Sequence, residues 1–288
     1  MAKVISILFL LGAAGLIWVV WVEPYWFRLR RLTIRLKKPL PQPFTVLHIS
    51  DFHFTRHKFH LGRFFDHLAK LEPDFVFVTG DLIDSAEGIE PCVHNLKKLR
   101  PKKGIYATLG NHDYRTYNSF FPWVHMFTGR DIFYKRPSHE VERLKQSLAE
   151  AGVELLLNRN IIVQLGGGEE LALVGLDDPV SGRENLDEAF RSAKNGTLRF
   201  TLAHTPSIFP SLCLYHIDVA FAGHTHGGQI RLPGIGALGM AKSMCPIIDS
   251  TNEYGFYGIV SRGLGAQPVT SLRFLCRPEA LLIRFEGH

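Results

Sequence analysis

Three polar residues recur at even intervals in the first half of the chain, and each follows a run of apolar residues. Asp51, Asp81 and Asn111 are separated by successive intervals of 30 residues. An interval of about 30 residues is the length of one strand–helix–strand unit. Parallel strands end at one edge of an α/β sheet, and such sheets place their binding sites there. The spacing therefore predicts a βαβαβ arrangement that gathers these three side chains at one sheet edge.

The hydrophobic pattern extends this prediction over the rest of the chain. Strands are expected at 44–50, 74–79, 105–109, 171–175, 200–203, 219–222, 257–260 and 281–285. Helices are expected at 61–71, 92–99, 140–151 and 186–193. Two sheets flanked by helices bury such a set of elements best. We therefore expect an α/β protein, a four-layer α/β/β/α sandwich formed by one domain over residues 44–288.

The N-terminal segment is typical of a membrane anchor. No charged residue occurs between Val4 and Val22, and a helix of that length is close to the thickness of the hydrocarbon core of a bilayer. Interfacial aromatic residues belong at the end of such a helix, and here they are Trp18, Trp21, Tyr25 and Trp26. A cleaved signal peptide is the alternative, but the apolar run is long and lacks a clear cleavage site. We expect a single-pass transmembrane helix.

The net positive charge of the chain comes from its N-terminal part. The formal net charge is +6, and residues 1–43 alone carry +6. The basic residues that follow the anchor are Arg28, Arg30, Arg31, Arg35, Lys37 and Lys38. Charge beside an apolar segment indicates attraction to a membrane surface and not a nucleic-acid groove. The positive-inside rule then predicts that the domain lies on the cytoplasmic face of the membrane. Residues 1–43 are therefore interpreted as an anchor, a basic collar and a proline-rich spacer, with the bilayer as partner and no nucleic-acid or protein partner.

Five short motifs rich in Asp, His and Asn follow predicted strands. They are Asp51-Phe52-His53, Gly80-Asp81-Leu82-Ile83-Asp84, Gly110-Asn111-His112-Asp113, Ala203-His204 and Gly223-His224-Thr225-His226. Alone, Asp-x-His and Gly-Asn-His-Asp are common in surface turns, whereas Gly-His-x-His after an apolar strand is a stronger signal because it sends two imidazoles to one side. All five at strand ends supply enough carboxylate, amide and imidazole groups to bind two metal ions. This mixture of donors suits manganese, iron or zinc better than calcium.

The five motifs resemble those of the calcineurin-like metallophosphoesterase superfamily, and the resemblance covers residues 44–288. The segments 223–229, 232–237 and 261–265 and the pair Pro278-Glu279 are similar to a small membrane-associated bacterial branch of that superfamily. The resemblance implies two divalent metal ions, of which manganese is the first candidate and iron or zinc the alternatives. The first ion would be bound by Asp51, His53, Asp81 and His226. The second would be bound by Asp81, Asn111, His204 and His224, so that Asp81 bridges the two ions.

The resemblance also assigns the chemistry. His112 would act on the leaving oxygen as general acid or electrostatic stabiliser, and Asp84 would orient it. The implied reaction is metal-dependent hydrolysis of a phosphodiester or pyrophosphate bond. The anchor and the resemblance to the bacterial branch favour a lipid-linked substrate. The leading candidate is UDP-2,3-diacylglucosamine, which is split to UMP and 2,3-diacylglucosamine 1-phosphate in lipid A biosynthesis. The alternatives are a broad phosphodiesterase acting on soluble nucleotides or phospholipids, and a membrane-tethered lipid-binding protein with structural metals.

An aromatic and basic stretch follows the predicted catalytic histidine. Residues 114–139 are interpreted as an insertion that covers the metals as a lid, although a core helix or an ordinary loop is an equal alternative. The chain has Ser85 where many members of the superfamily carry an arginine that binds phosphate, so a substituting cation is expected elsewhere. The candidate substrate-binding residues are Arg115, Phe120, Phe121, Trp123, Phe127, Arg130 and Arg183. Asp177 and Asp178 are expected to serve a turn and not a metal.

Overall fold

The computed structural model describes residues 1–56, 59–118, 134–137, 140–191, 198–238, 254–265 and 272–287. The strands are β1 Arg28–Arg35, β2 Phe44–Ile49, β3 Phe75–Thr79, β4 Ile105–Thr108, β5 Arg115–Asn118, β6 Tyr134–Pro137, β7 Val153–Leu155, β8 Arg159–Gly166, β9 Glu169–Gly175, β10 Leu198–Leu202, β11 Val219–Ala222, β12 Arg231–Leu232, β13 Gly236–Ala237, β14 Tyr257–Val260 and β15 Glu279–Glu286. The α-helices are α1 Ala2–Ile17, α2 Phe59–Leu68, α3 Ile89–Leu96, α4 Asn111–Tyr114, α5 Val141–Glu150, α6 Leu186–Phe190 and α7 Phe209–Leu212.

The first sheet has six strands in the order β1-β15-β2-β3-β4-β7. Strands β2, β3, β4 and β7 run parallel, and β15 runs antiparallel to β2. The parallel part is the βαβαβ arrangement that the 30-residue spacing predicts, because α2 and α3 connect its strands. Side chains alternate along β2: Val46 points into the space between the sheets, whereas Leu47 and Ile49 pack under the helices.

The second sheet has five strands in the order β14-β11-β10-β9-β8. Strands β14, β11, β10 and β9 are parallel, and β8 is antiparallel to β9. Strand β8 was not predicted from the sequence. It lies at the edge of the sheet, and none of its residues is fully buried, so that its hydrophobic pattern is weak.

Three apolar clusters hold the layers together. The cluster between the sheets includes Phe44, Phe77, Phe200 and Phe221, all of them buried. A second cluster lies between the first sheet and α2, α3 and α5, and a third lies between the second sheet and α6 and α7. The order of layers is therefore helix, sheet, sheet, helix, and the predicted α/β/β/α sandwich is confirmed.

The basic collar forms a strand of the first sheet. Strand β1 pairs in parallel with β15 over its whole length, from Arg28 opposite Glu279 to Arg35 opposite Glu286. The folded sheet thus extends to the N-terminal side of residue 44, where the sequence analysis began the domain. The hydrophobic pattern did not indicate this strand because it lies at an edge, where only Ile34 is fully buried and the arginines point outward or lie half-buried.

One helix among the described residues is long and apolar enough to cross a membrane, the segment Lys3–Tyr25. It comprises α1, the wider π-helical turn Trp18–Val22 and the tighter 3₁₀ turn Glu23–Tyr25. The side chains of its central part are exposed, as expected of a helix that packs against lipid and not against the domain. This agrees with the predicted anchor.

Candidate metal centre

The polar motifs of both sheets meet at one end of the sandwich. Asp51 and His53 follow β2, Asp81 and Asp84 follow β3, and Asn111 and His112 begin α4 after β4. From the second sheet, His204 follows β10, and His224 and His226 follow β11. The structure therefore brings together all nine residues that the sequence analysis placed in the metal and catalytic site.

The side chains form three overlapping groups whose ligand atoms lie within 4.8 Å of one another. The groups are Asp51 with His53 and His226, Asp81 with His204 and His224, and His53 with Asp81 and His112. Asn111 joins the second group, since its Oδ1 lies 3.2 Å from Nε2 of His204. Asp81 lies between the other groups, because its Oδ2 is 3.8 Å from Nε2 of His53 and 3.3 Å from Nε2 of His204.

The geometry of the imidazoles fits bound cations. Nε2 of His53 lies 3.2 Å from Nε2 of His226, and Nδ1 of His224 lies 3.0 Å from Nε2 of His204. Four imidazole nitrogens thus point into a space that buried carboxylates line, as a divalent cation with N and O ligands requires. Together with Asp51 and Asp81, this donor set fits divalent metal ions.

The backbone holds these residues in an unusual conformation. Five of them have a positive φ: Asp51 (53°), His53 (49°), Asp81 (52°), His224 (66°) and His226 (48°). A left-handed conformation costs a residue other than glycine about 1–2 kcal/mol, and such strain collects at functional sites. The surrounding hydrogen bonds maintain it: for example, Oδ1 of Asp51 accepts the backbone N–H of His224 at 2.9 Å.

Two glycines allow the motifs to approach one another. Gly80 has a φ of +79°, and a Cβ at this position would lie 2.5 Å from Nδ1 of His204. A Cβ on Gly110 would collide with the side chain of Asp81. The glycines that precede Asp81 and Asn111 in the sequence motifs are therefore required by close packing.

The buried charges shift one another's pKa values. Burial alone would lower the pKa of His204, but the carboxylates of Asp81 and Asp51 raise it to about 10. Burial, together with neighbouring His204, lowers the pKa of His224 to about 3, and burial with His53 lowers that of His226 well below its usual range. The carboxylates that attract a proton to His204 would equally attract a metal cation, since metal ligation and protonation compete for the same atoms.

Asp84 contacts two histidines. Its Oδ1 lies 2.8 Å from Nδ1 of His112, the contact that the sequence analysis expected, and also 2.8 Å from Nδ1 of His53. Burial would raise the pKa of Asp84, but the two imidazoles hold it well below its usual range. Burial would lower the pKa of His112, but Asp81 and Asp84 raise it. Asp84 is thus positioned to fix both rings, and its contact with His53 was missed because no local pattern indicates it.

Asp113 is a further buried residue that the sequence analysis did not assign. Its Oδ1 accepts the backbone N–H groups of Leu82 and Ile83, and its Oδ2 accepts that of Gly110. Burial and the proximity of Asp81 raise its pKa to about 7. Asp113 therefore braces the loops that carry Asp81 and Asn111. Its position in the motif Gly-Asn-His-Asp was the only signal for it.

The structure describes only part of the predicted substrate-binding region. Phe120, Phe121, Trp123, Phe127 and Arg130 lie outside the described residues. Strands β5 and β6 pair in antiparallel fashion on either side of them, from Arg115 opposite Pro137 to Asn118 opposite Tyr134.

Arg115 and Arg183 are described. Arg115 is half-buried at the start of β5, and the guanidinium of Arg183 lies 4.1 Å from the centre of the Tyr114 ring. Asp178 accepts the backbone N–H groups of Val180 and Ser181, as in a turn. Asp177 accepts the Tyr114 hydroxyl at 2.6 Å. The expected turn role of Asp178 agrees with these bonds.

Buried carboxylates and imidazoles at the ends of two sheets form clusters that could bind divalent metal ions. The chain belongs to the calcineurin-like phosphoesterase family, whose model matches residues 44–228. It is therefore a phosphoester hydrolase whose fold and ligand clusters indicate divalent metals.

Relatives match over most of the chain. The UDP-2,3-diacylglucosamine pyrophosphatase LpxG of Chlamydia trachomatis is 30% identical over 97% of this chain and 96% of its own. The uncharacterized metallophosphoesterase YkoQ of Bacillus subtilis is 29% identical over 88% of each chain, and the phosphodiesterase YaeI of Escherichia coli is 26% identical over 94% of this chain and 93% of its own. Among solved structures, the phosphopantetheinyl hydrolase PptH of Mycobacterium tuberculosis covers 82% of this chain and 95% of its own at 14% identity, with a TM-score of 0.46.

Proposed function

We propose that this protein is a membrane-anchored two-metal hydrolase that cleaves a phosphodiester or pyrophosphate bond in a lipid-linked substrate. The proposed substrate is UDP-2,3-diacylglucosamine, which would yield UMP and 2,3-diacylglucosamine 1-phosphate. The similarity to chlamydial LpxG over nearly the whole of both chains supports this choice. The reaction would belong to lipid A biosynthesis.

One structural observation carries the lipid-linked part of the proposal. The end of the anchor is bonded to a loop that lies beside the metal centre. The backbone N–H of Arg273 donates to the carbonyl of Val19 at 3.1 Å, and a guanidinium nitrogen of the same residue lies 3.4 Å from Nδ1 of His226. The bilayer surface would therefore lie close to the metal ligands, where a substrate held by acyl chains could reach them without leaving the membrane.

The proposed ligand sets are those that the family resemblance implies, and the clustering of these side chains supports them. Asp51, His53, Asp81 and His226 would hold one ion, and Asp81, Asn111, His204 and His224 the other. Two such ions, when bound, neutralise charge on the phosphoryl oxygens and lower the pKa of an attacking water. Manganese is proposed on the chemistry of the donors, with iron or zinc as alternatives.

His112 would serve the leaving group. The ring is nine-tenths buried or more and its Nδ1 bonds to Asp84. Burial would lower the pKa of His112, but Asp81 and Asp84 raise it, which shifts the ring towards its protonated form. Nε2 is thereby the atom from which a proton or a positive charge can be presented to the leaving oxygen. Asp84 holds the ring in that orientation and stabilises its charge.

The insertion 114–139 is proposed as a lid for acyl chains. It leaves the domain directly after α4, the helix that carries His112, and returns through β6. Deletion of residues 118–136 should abolish hydrolysis of the acylated substrate and preserve hydrolysis of a soluble aryl phosphodiester. Equal loss on both substrates would contradict the lid.

The orientation in the membrane is part of the proposal. Arg28, Arg31 and Arg35 are exposed on β1 close to the end of the anchor, where anionic lipids of a cytoplasmic leaflet would attract them. The domain would therefore lie on the cytoplasmic face of a bacterial inner membrane. A protease added to right-side-out vesicles should leave the domain intact, and digestion there would contradict this orientation.

The decisive substrate test uses full-length protein in detergent with manganese. UDP-2,3-diacylglucosamine and bis-p-nitrophenyl phosphate are assayed side by side, and release of UMP is measured. UMP formation supports the proposed substrate. Hydrolysis of the aryl ester alone would instead support a broad phosphodiesterase, the activity that the name of the relative YaeI suggests.

One variant distinguishes the proposed enzyme from a lipid-binding protein with structural metals. His112→Ala removes no proposed metal ligand, so an enzyme should retain its metals and lose turnover. The contact between His112 and Asp84 at 2.8 Å favours the enzyme, because a purely structural metal site has no need of an oriented His112.

A further inference from the structure

The anchor ends in a buried carboxylate that bonds to the catalytic domain. Glu23 is 2% exposed, although it lies within the apolar candidate span. Its Oε2 accepts the indole N–H of Trp18 at 3.0 Å, and its Oε1 accepts the backbone N–H of Cys276 at 2.5 Å. A carboxylate withdrawn from water is stabilised only by such bonds, so the position of Glu23 is fixed by Cys276.

Cys276 in turn contacts the turn that carries a metal ligand. Its thiol lies 3.2 Å from the carbonyl oxygen of His226 and 3.6 Å from that of Gly227. The packing is close, because a Cβ on Gly227 would lie 3.0 Å from the sulfur of Cys276. A displacement of Cys276 would therefore displace the left-handed backbone of His226.

Arg273 completes the connection from the other side of this turn. Its side chain is fully buried, and its guanidinium donates to the carbonyls of Cys276, Arg262 and Gly265 at 2.9, 2.8 and 2.6 Å. The backbone N–H of Gly265 donates to the carbonyl of Asp51 at 2.5 Å. The loop bonded to the anchor thus contacts two residues of one metal-ligand group, Asp51 and His226.

We infer that Glu23 is a positioning residue of the metal centre and that docking of the anchor completes the site formed by Asp51, His53 and His226. The inference rests on the two-metal part of the proposed function and not on the lipid substrate. The second ligand group, built around His204 and His224, is one step further from the anchor, because its link to this loop runs through the hydrogen bond from the backbone N–H of His224 to Asp51. Loss of Glu23 should therefore weaken the first ion more than the second.

A flexible tether would be built differently. An anchor that only holds the domain at the membrane needs neither a buried acid nor bonds to the loop beside a metal ligand. Here a second contact fixes the same junction, because the guanidinium of Arg277 stacks on Trp26 at 3.8 Å and donates to the carbonyl of Trp26 at 2.9 Å. The junction is thus rigid on both sides of Glu23.

The test measures metal binding by full-length protein in detergent after removal of metals. Mn²⁺ affinities of the two sites are determined by competition with a chelator for the unaltered chain, Glu23→Ala, Cys276→Ala and the control Trp21→Phe. Trp21 lies in the same segment but is 71% exposed. Substitution of groups that support a metal ligand lowers metal affinity by about 10–100-fold. We expect Glu23→Ala to lower the Mn²⁺ affinity of one site by about this factor. Cys276→Ala should lower the affinity of the same site, and Trp21→Phe should leave both affinities unchanged.

Activity and melting temperature together distinguish a positioning role of Glu23 from an effect on folding. Glu23→Ala should recover the kcat of the unaltered chain at saturating Mn²⁺, and the melting temperature of its metal-free form should match that of Trp21→Phe. Equal weakening of both ions would indicate a general structural role and overturn the inference. If Glu23→Ala fails to fold, Cys276→Ala decides, and unchanged affinities in that variant overturn it. Fewer than two ions in the unaltered chain would contradict the two-metal function itself, which keeps the two failures distinct.

Discussion

Removal of the Asp84 carboxylate should damage metal binding and catalysis together, because one oxygen serves both. Oδ1 of Asp84 lies 2.8 Å from Nδ1 of His53 and 2.8 Å from Nδ1 of His112, and the side chain is 9% exposed. A hydrogen bond to a charged group contributes about 1.5–3 kcal/mol. The two bonds together amount to about 3–6 kcal/mol, which corresponds to a decrease in kcat/KM of about 10²–10⁴-fold for Asp84→Ala.

The assay is hydrolysis of bis-p-nitrophenyl phosphate at increasing Mn²⁺. Asp84→Ala should lower kcat and also raise the Mn²⁺ concentration needed for half-maximal rate, because His53 loses its support. His112→Ala should lower kcat by about 10²–10³-fold and leave the Mn²⁺ requirement unchanged. Asp66→Ala is the matched control, since the Asp66 side chain is 59% exposed and pairs with Lys98 at the surface.

A double variant tests whether Asp84 acts through His112. Part of the effect of Asp84→Ala passes through His112, so that Asp84→Ala combined with His112→Ala should lose less than the product of the single losses. Fully multiplicative losses, or an unchanged Mn²⁺ requirement in Asp84→Ala, would show that Asp84 does not act through these two rings.

Three further predictions concern stability. Gly80→Ala should lower the free energy of unfolding by more than Gly168→Ala. Both glycines have a positive φ, which costs alanine about 1–2 kcal/mol, but only the Cβ added at position 80 would also collide with His204. Equal urea midpoints for the two variants would contradict this. Phe200→Ala should cost about 3–5 kcal/mol in the core between the sheets, whereas Leu214→Ala, 80% exposed, should change stability by less than about 0.5 kcal/mol, as urea denaturation would measure. Removal of metals with a chelator should abolish hydrolysis and lower the melting temperature, since ligand at 100 times its Kd stabilises by about 2.7 kcal/mol; an unchanged melting temperature would contradict tight binding to the native state.

The sequence predicted which polar residues the fold brings together, because each motif is local. A buried strand followed at once by a polar motif identifies the end of that strand, and the ends of parallel strands coincide in space. Asp51, Asp81 and Asn111 follow this rule in the first sheet, and His204 and His224 follow it in the second. No long-range information was needed to bring these residues together.

The features that the sequence did not predict depend on long-range contacts. Strand β1 owes its structure to pairing with β15 at the other end of the chain, and its arginines hide the hydrophobic pattern. The bond between Glu23 and Cys276 joins residues 253 positions apart. The second contact of Asp84, to His53, likewise spans 31 positions and has no sequence motif of its own.

The proposed function requires that the buried cluster around Asp81 binds two divalent ions on which hydrolysis depends. The most direct measurement is a titration of metal-free, full-length protein with Mn²⁺, in which bound ions and hydrolysis of bis-p-nitrophenyl phosphate are followed in the same samples. Two ions should bind per chain, and hydrolysis should rise with occupancy of the second ion. Hydrolysis by the metal-free protein, or saturation at one ion with full activity, would contradict the proposed function.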